Sequence, residues 1–459
     1  MYFYREDIEI ELWDIIMASF WFLILFSYAF IIKIRKIEKY PEYKYYVKGI
    51  VFKILGGIAF SLIYALYYKG GDTVLYFYSS RSLLNLAFED FGKFFSIMLG
   101  NLTPENRSLF GPKIGYVSYY SDFNSFSTVR FSVIFVLLSG KSFLGTAVLI
   151  AGFTYNGLWS LFRLLYNKFK NNSRAIAFAV LFIPSTLFWG SGIMKDSYTL
   201  MAICLIFVGF YRIIELKTHI IKNLLLVIFS SFILLSIKPY IFITFMMSVF
   251  VTIVYKYYKD IKNKVLKTTI IPLFLIIIIY LGINITIKIS STFNEQYSSI
   301  DKMLNVALIS QQDLKQSYYG GNSFDIGYFE PTVMGVLSKF HLATLAGLYR
   351  PYLWDVKNVV MLISALENTI FLLLSLYIVF LSLFTWQRYG WKYMQKVLFS
   401  DSFIVFSLVF SLLFAFFIGL TTSNFGSLVR YKIPLIPFFM ASLFIIVYNF
   451  NIERNKWKD

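Results

Sequence analysis

Eleven apolar runs, most of them long enough to cross a bilayer, recur along this 459-residue chain near 13–32, 50–68, 143–165, 174–192, 197–211, 223–237, 240–255, 268–287, 359–384, 398–420 and 433–449. A chain in lipid must satisfy its backbone hydrogen bonds within itself, so such runs fold as helices or as a closed barrel. These lack the apolar/polar alternation of barrel strands, which leaves helix. Charged residues make up only 15% of the chain and hydrophobic ones 58%, and no polar interval is long enough for a separate soluble domain. The expected fold is an all-α polytopic bundle of about eleven spans, one integral membrane domain over 1–459. The runs at 197–211 and 223–237 are short, and Ile237 to Tyr240 predicts a tight hairpin between spans six and seven. One cysteine, Cys204, lies inside an apolar run, which excludes a disulfide framework and cysteine-based zinc or iron–sulfur sites. Two histidines, His219 and His341, argue against a histidine-rich metal centre.

The net charge of +18 is explained by where the charges fall. With the N-terminus outside, the inner segments 33–53, 163–174, 212–222, 256–267, 388–396 and 454–459 carry 25 of the 43 Lys and Arg, and the inner side carries 7 of the 25 Asp and Glu. The whole excess is then cytoplasmic, as the positive-inside rule expects, and no nucleic-acid partner is needed. The C-terminus is placed in the cytoplasm. Met1 to Asp14 is acidic and lacks the basic start of a cleavable signal, so span one is expected to be retained as an anchor. No internal repeat supports an inverted-repeat transporter.

Unusual residues collect on the expected outer side, in two long loops at 69–142 and 288–358 and in the short outer turns. Tyr68-Lys69-Gly70-Gly71-Asp72-Thr73 lets the backbone turn sharply out of span two and sets Asp72 near the membrane surface, followed by Tyr76 and an amphipathic stretch from Ser82 to Met98. Asp72 either caps the helix that follows or serves as a general base or cation ligand. Asn124 to Leu138 reads as a surface-lying or re-entrant helix with Arg130 on its polar side. Lys195-Asp196 stands between apolar spans, where a charge pair is costly unless it lines a polar cavity; the alternative is a cap and a snorkelling lysine. Lys238, in Ser236-Ile237-Lys238-Pro239-Tyr240, has little room to leave the interface and suits a phosphate. The second loop holds Tyr318-Tyr319-Gly320-Gly321, His341 and Arg350-Pro351-Tyr352-Leu353-Trp354-Asp355, with Glu367 about two helical turns inside span nine. Arg430, in Asn424-Phe425-Gly426-Ser427-Leu428-Val429-Arg430-Tyr431-Lys432-Ile433-Pro434, offers a bidentate phosphate grip. Arg350, Trp354 and Arg430 also fit an interfacial belt.

Those segments together resemble a family of polytopic envelope proteins common in Bacteroidetes, over nearly the whole chain, and more distantly the chain is similar to the GT-C class of membrane glycosyltransferases. That class uses polyprenyl-phosphate-linked sugars and places an essential acidic residue in the first outer loop. The resemblance implies Asp72 as a catalytic or metal-associated carboxylate, with Mg or Mn as its optional cation, and Lys195, Lys238 and Arg430 as phosphate ligands. The chain departs from the class in setting the acidic loop after span two, and in lacking the large soluble C-terminal domain of some members.

The function expected is transfer of a sugar from a polyprenyl-linked donor to an envelope glycan, lipid or protein at the outer face of the inner membrane. Asp72 is the base, Asp196 its alternative, and Lys195, Lys238, Arg350 and Arg430 neutralise the leaving phosphate. A lipid-linked polysaccharide polymerase or ligase relying on Arg350, Arg430 and His341 is the competing reading. A lipid-linked saccharide transporter ranks third, because Glu367 and Asp401 are the only deep carboxylates.

Overall fold

The computed structural model describes residues 8–260, 298–316, 322–357 and 359–455, with isolated positions 269, 284, 287, 288 and 291. Among the described residues the chain is helical, with two isolated β-bridges and no strand. Nine described helices are long and apolar enough to cross a membrane: Leu12–Lys36, Pro41–Tyr67, Phe143–Lys168, Lys195–Leu216, Ile220–Ile237, Pro239–Tyr257, Met361–Tyr389, Ser402–Thr421 and Ile436–Glu453. They coincide with nine of the eleven expected runs. The run at 268–287 lies outside the described residues. The run at 174–192 is broken, because Pro184 lacks an N–H and Ile183 before it takes an extended backbone (φ −68°, ψ 123°).

The chain clusters into two compact units, Met1–Leu164 with Leu181–Lys238, and Leu165–Val180 with Pro239–Asp459. Helices α1 (Leu12–Lys36), α2 (Tyr46–Leu62), α3 (Asp72–Glu89), α4 (Phe91–Met98), α5 (Pro104–Ser108), α6 (Phe123–Leu138) and α7 (Phe143–Lys168) come first. The broken run supplies α8 (Ser173–Leu181), nearly all of it in the second unit, and α9 (Pro184–Trp189), which with α10 (Lys195–Tyr211) and α11 (Ile220–Ile237) completes the first unit. The first long loop is therefore folded, as the four helices α3 to α6.

Two features fix this unit. The carboxylate of Asp14 in α1 accepts hydrogen bonds from Ser142 Oγ (2.8 Å) and the backbone N–H groups of Phe143 (2.6 Å) and Leu144 (3.4 Å). It thus caps the N-terminus of α7, where orphan N–H groups and the helix dipole favour an anion. The Trp13 indole donates to Gly140 O beside it. Close backbone approach is the other feature: a Cβ on Gly56 would sit 2.1 Å from Leu187 O, and one on Gly57 2.9 Å from Ser191 O. The glycine pair in α2 lets the 187–192 segment lie directly on it, and buried Lys53 donates to Gly190 O there.

The second unit holds α12 (Pro239–Asp260), α13 (Ile300–Asp313), α14 (Val333–Ser338), α15 (Phe340–Tyr349), α16 (Val359–Tyr389), α17 (Trp391–Leu398), α18 (Ser402–Thr421), α19 (Phe425–Tyr431) and α20 (Ile436–Asn455). The second long loop also contains helices, and α15 packs as a core element. A Cβ on Gly347 would lie 2.1 Å from Ala415 O and one on Gly419 1.9 Å from Ala343 O, a reciprocal contact of small residues between α15 and α18. Asp401 caps α18 through Phe403 N (2.8 Å) and pairs with Lys168 (2.7 Å). That placement makes it a structural carboxylate at a helix end.

Candidate active site

The turn before α3 is built by three consecutive residues with positive φ, Lys69 (48°), Gly70 (135°) and Gly71 (108°). At Gly71 a side chain is excluded twice, by this φ and by the Tyr64 ring, 2.9 Å from where a Cβ would sit. Asp72 is thereby the first residue of α3. Its side chain accepts a hydrogen bond from the Tyr119 hydroxyl at 2.7 Å. Tyr76, one turn on and buried, lies under Tyr119 with ring centres 5.0 Å apart, so it supports the donor that holds Asp72.

Beside Asp72 the N-termini of α6 and α10 meet the C-terminus of α11. Asp122 is the N-cap of α6, accepting from Asn124 N (3.0 Å) and Ser125 N (3.2 Å), and the Ser125 hydroxyl also bonds its carboxylate. Ser125 Oγ accepts from Lys195 Nζ at 2.6 Å, and Lys195 lies 3.9 Å from Asp122. Lys195 also feels the charges of Asp72, Asp196 and Lys238, so all five ionic groups share one neighbourhood. Asn124 Nδ2 donates to Ser236 O (3.1 Å) and ties α6 to the end of α11.

Asp196 and Lys238 form a buried ion pair at 2.5 Å, with side chains 1% and 6% exposed. Asp196 sits in the first turn of α10 and Lys238 at the C-cap of α11, each where the helix dipole favours its sign. Three aspartates against two lysines leave this cluster one charge negative. With Lys238 engaged by Asp196, Lys195 is the more accessible cation, its side chain 22% exposed. Among the described residues no three Asp, Glu, His or Cys side chains come together to hold a metal ion. A divalent ion at Asp72 would take most of its ligands from a phosphate and water.

The other sequence candidates belong to the second unit. Arg350 follows α15, with Nε 4.0 Å from Asp355 Oδ2; Arg430 lies in the last turn of α19; His341 is exposed on α15. Tyr318 to Gly321 lie outside the described residues. Sequence reasoning passed over Lys432, whose ammonium donates to Asn368 Oδ1 (2.7 Å), Arg350 O (2.8 Å) and Leu348 O (3.4 Å), capping the C-terminus of α15. Burial pulls this lysine down to about 7, and the charge of Glu367 opposes that pull. Three acceptors match the three donors of the ammonium form. Glu367, the deep carboxylate of span nine, thus has a cation in reach.

Arg130 departs from expectation. It is buried, donating to Ser127 Oγ (2.7 Å) and Met98 O (3.4 Å) with its guanidinium over the Phe123 ring, because α3 and α4 cover the face that hydropathy left open. Tyr119, Asp122 and Ser125 were also passed over. Only the Asp-x-x-Ser spacing ahead of an apolar helix signalled the last two, as a cap. No protein-family model, curated protein or solved structure matches the chain.

Proposed function

We propose that the chain is an integral membrane transferase that moves a sugar from a polyprenyl-phosphate-linked donor to an envelope glycan, lipid or protein, with Asp72 as its general base. The N-terminus and the Asp72 loop face outward from the inner membrane, in keeping with the basic loops at the opposite helix ends. The observation that carries the reading is the setting of Asp72: a carboxylate presented by a Gly-Gly turn, oriented by Tyr119 and sharing its neighbourhood with Lys195.

In the proposed step the acceptor hydroxyl gives its proton to Asp72 as its oxygen attacks the anomeric carbon. The bond from that carbon to the phosphate oxygen breaks, and the lipid phosphate leaves with the electron pair. Lys195 faces the charge that develops there. Asp196 is bonded to Lys238 and buried, so it serves as a support for the α10–α11 junction in this scheme, and the role of base falls to Asp72.

The test is turnover of radiolabelled polyprenyl-phosphate sugars by the purified protein in lipid. Asp72→Asn keeps an acceptor for Tyr119, and transfer is expected to fall by about 100-fold or more. Full activity in that variant would sink the base assignment. The competing polymerase or ligase reading draws on Arg350, whose side chain is partly exposed and 4.0 Å from its nearest carboxylate. Folded protein that is inert on every monosaccharide donor would move the weight there.

A further inference from the structure

In the second unit the guanidinium of Arg350 joins two stacked ring pairs. Its central carbon is 5.1 Å from the centre of the Phe324 ring and 5.6 Å from that of Tyr352. Phe324 stacks on Phe425 at 5.2 Å, and Tyr352 stacks on Trp354 at 4.8 Å with 22° between the planes. Four of the five members have a backbone group held by a hydrogen bond. Phe324 N donates to Ser423 O and Phe425 N to Asn322 O, Tyr352 N donates to Asp355 Oδ2, and Lys432 holds Arg350 O.

The two exposed members point to a ligand. Arg350 keeps 29% of its side chain exposed, and its five N–H donors make no hydrogen bond among the described residues; Asp355 at 4.0 Å is beyond that range. Such a guanidinium is already positioned for a bidentate oxyanion. Trp354 is 78% exposed and its neighbour Tyr352 backs it, so a large aromatic surface faces outward. A purely lipid-facing belt would require neither this backing by Tyr352 nor a carboxylate, Asp355, directly after the Trp.

We propose that Phe324, Arg350, Tyr352, Trp354 and Asp355 form a binding site for a saccharide bearing a phosphate or carboxylate. The sugar ring lies on Trp354, its hydroxyls reach Asp355, and the oxyanion takes the guanidinium edge. This site goes beyond the transferase reading, and its test reads binding and not transfer.

The experiment is calorimetric titration of the full chain in phosphatidylcholine nanodiscs with glucose 1-phosphate, glucuronic acid, glucose and inorganic phosphate. The two anionic sugars are expected to bind at least tenfold more tightly than glucose or phosphate. Arg350→Lys, which keeps the charge and loses the planar fork, weakens both by about tenfold or more. Trp354→Ala weakens them similarly while leaving phosphate within about twofold, and its exposed position leaves thermal unfolding unchanged. A polyprenyl-phosphate sugar built into the disc that displaces the soluble probe assigns a lipid-borne ligand; failure to displace it assigns a soluble one, and both support the site. Three results overturn it: no binding of either anionic sugar, binding no tighter than phosphate, or Trp354 fluorescence that brominated lipid quenches and saccharide leaves untouched.

Discussion

Single residues carry the chemistry proposed for the first unit, and their partners determine which of them are replaceable. Asp196 and Lys238 are buried against one another, so removing one takes the nearest counter-charge from a buried ion. Asp196→Asn or Lys238→Met alone is expected to cost about 3–5 kcal/mol. Asp196→Leu with Lys238→Met should recover most of that loss, and thermal unfolding of the four proteins measures it as a double-mutant cycle. Tyr119→Phe deletes the donor to Asp72, a hydrogen bond to a charged group worth about 1.5–3 kcal/mol. Transfer is expected to slow about tenfold with little change in protein yield; an unchanged rate would mean that Tyr119 does not orient the base. Asp72 was legible in the sequence because the Gly-Gly turn that presents it is local. Tyr119 was not, since its hydroxyl reaches Asp72 across 47 positions and no nearby residue announces the contact.

At the scale of elements, small residues set where helices touch. Gly347 and Gly419 each face a backbone carbonyl about 2 Å from where a Cβ would lie, so Gly419→Val must push α15 off α18. The variant is expected to lose stability by at least about 3 kcal/mol, read as a lower thermal midpoint in detergent, whereas Gly426→Ala, where a Cβ meets only its neighbour Asn424, should be tolerated. The nine described helices long and apolar enough to span were readable from hydropathy because length and apolarity are properties of one segment. The break at Pro184 escapes hydropathy, since the run remains apolar on both sides of the proline. Lys432 carries no local signal; its role as cap for α15 depends on carbonyls more than 80 positions earlier.

For the whole molecule, the charge distribution predicts orientation. Cys204 is fully buried and contributes no background to labelling from solution. Ser108→Cys and Asn171→Cys are both exposed positions on opposite sides of the proposed topology. An impermeant maleimide applied to sealed cells should label the first and spare the second, and inside-out vesicles should give the reverse. Labelling of Asn171→Cys from outside would invert the topology and move Asp72 into the cytoplasm.

The link from Asp14 to the start of α7 also imposes an order on biogenesis. Helix α1 leaves the ribosome with a carboxylate whose donors at Ser142, Phe143 and Leu144 have yet to be translated, 128 to 130 positions later. At ordinary elongation rates of about 5–20 residues per second the wait is roughly 6 to 26 seconds. During that interval the Asp14 carboxylate lacks every one of the donors that hold it in the folded chain.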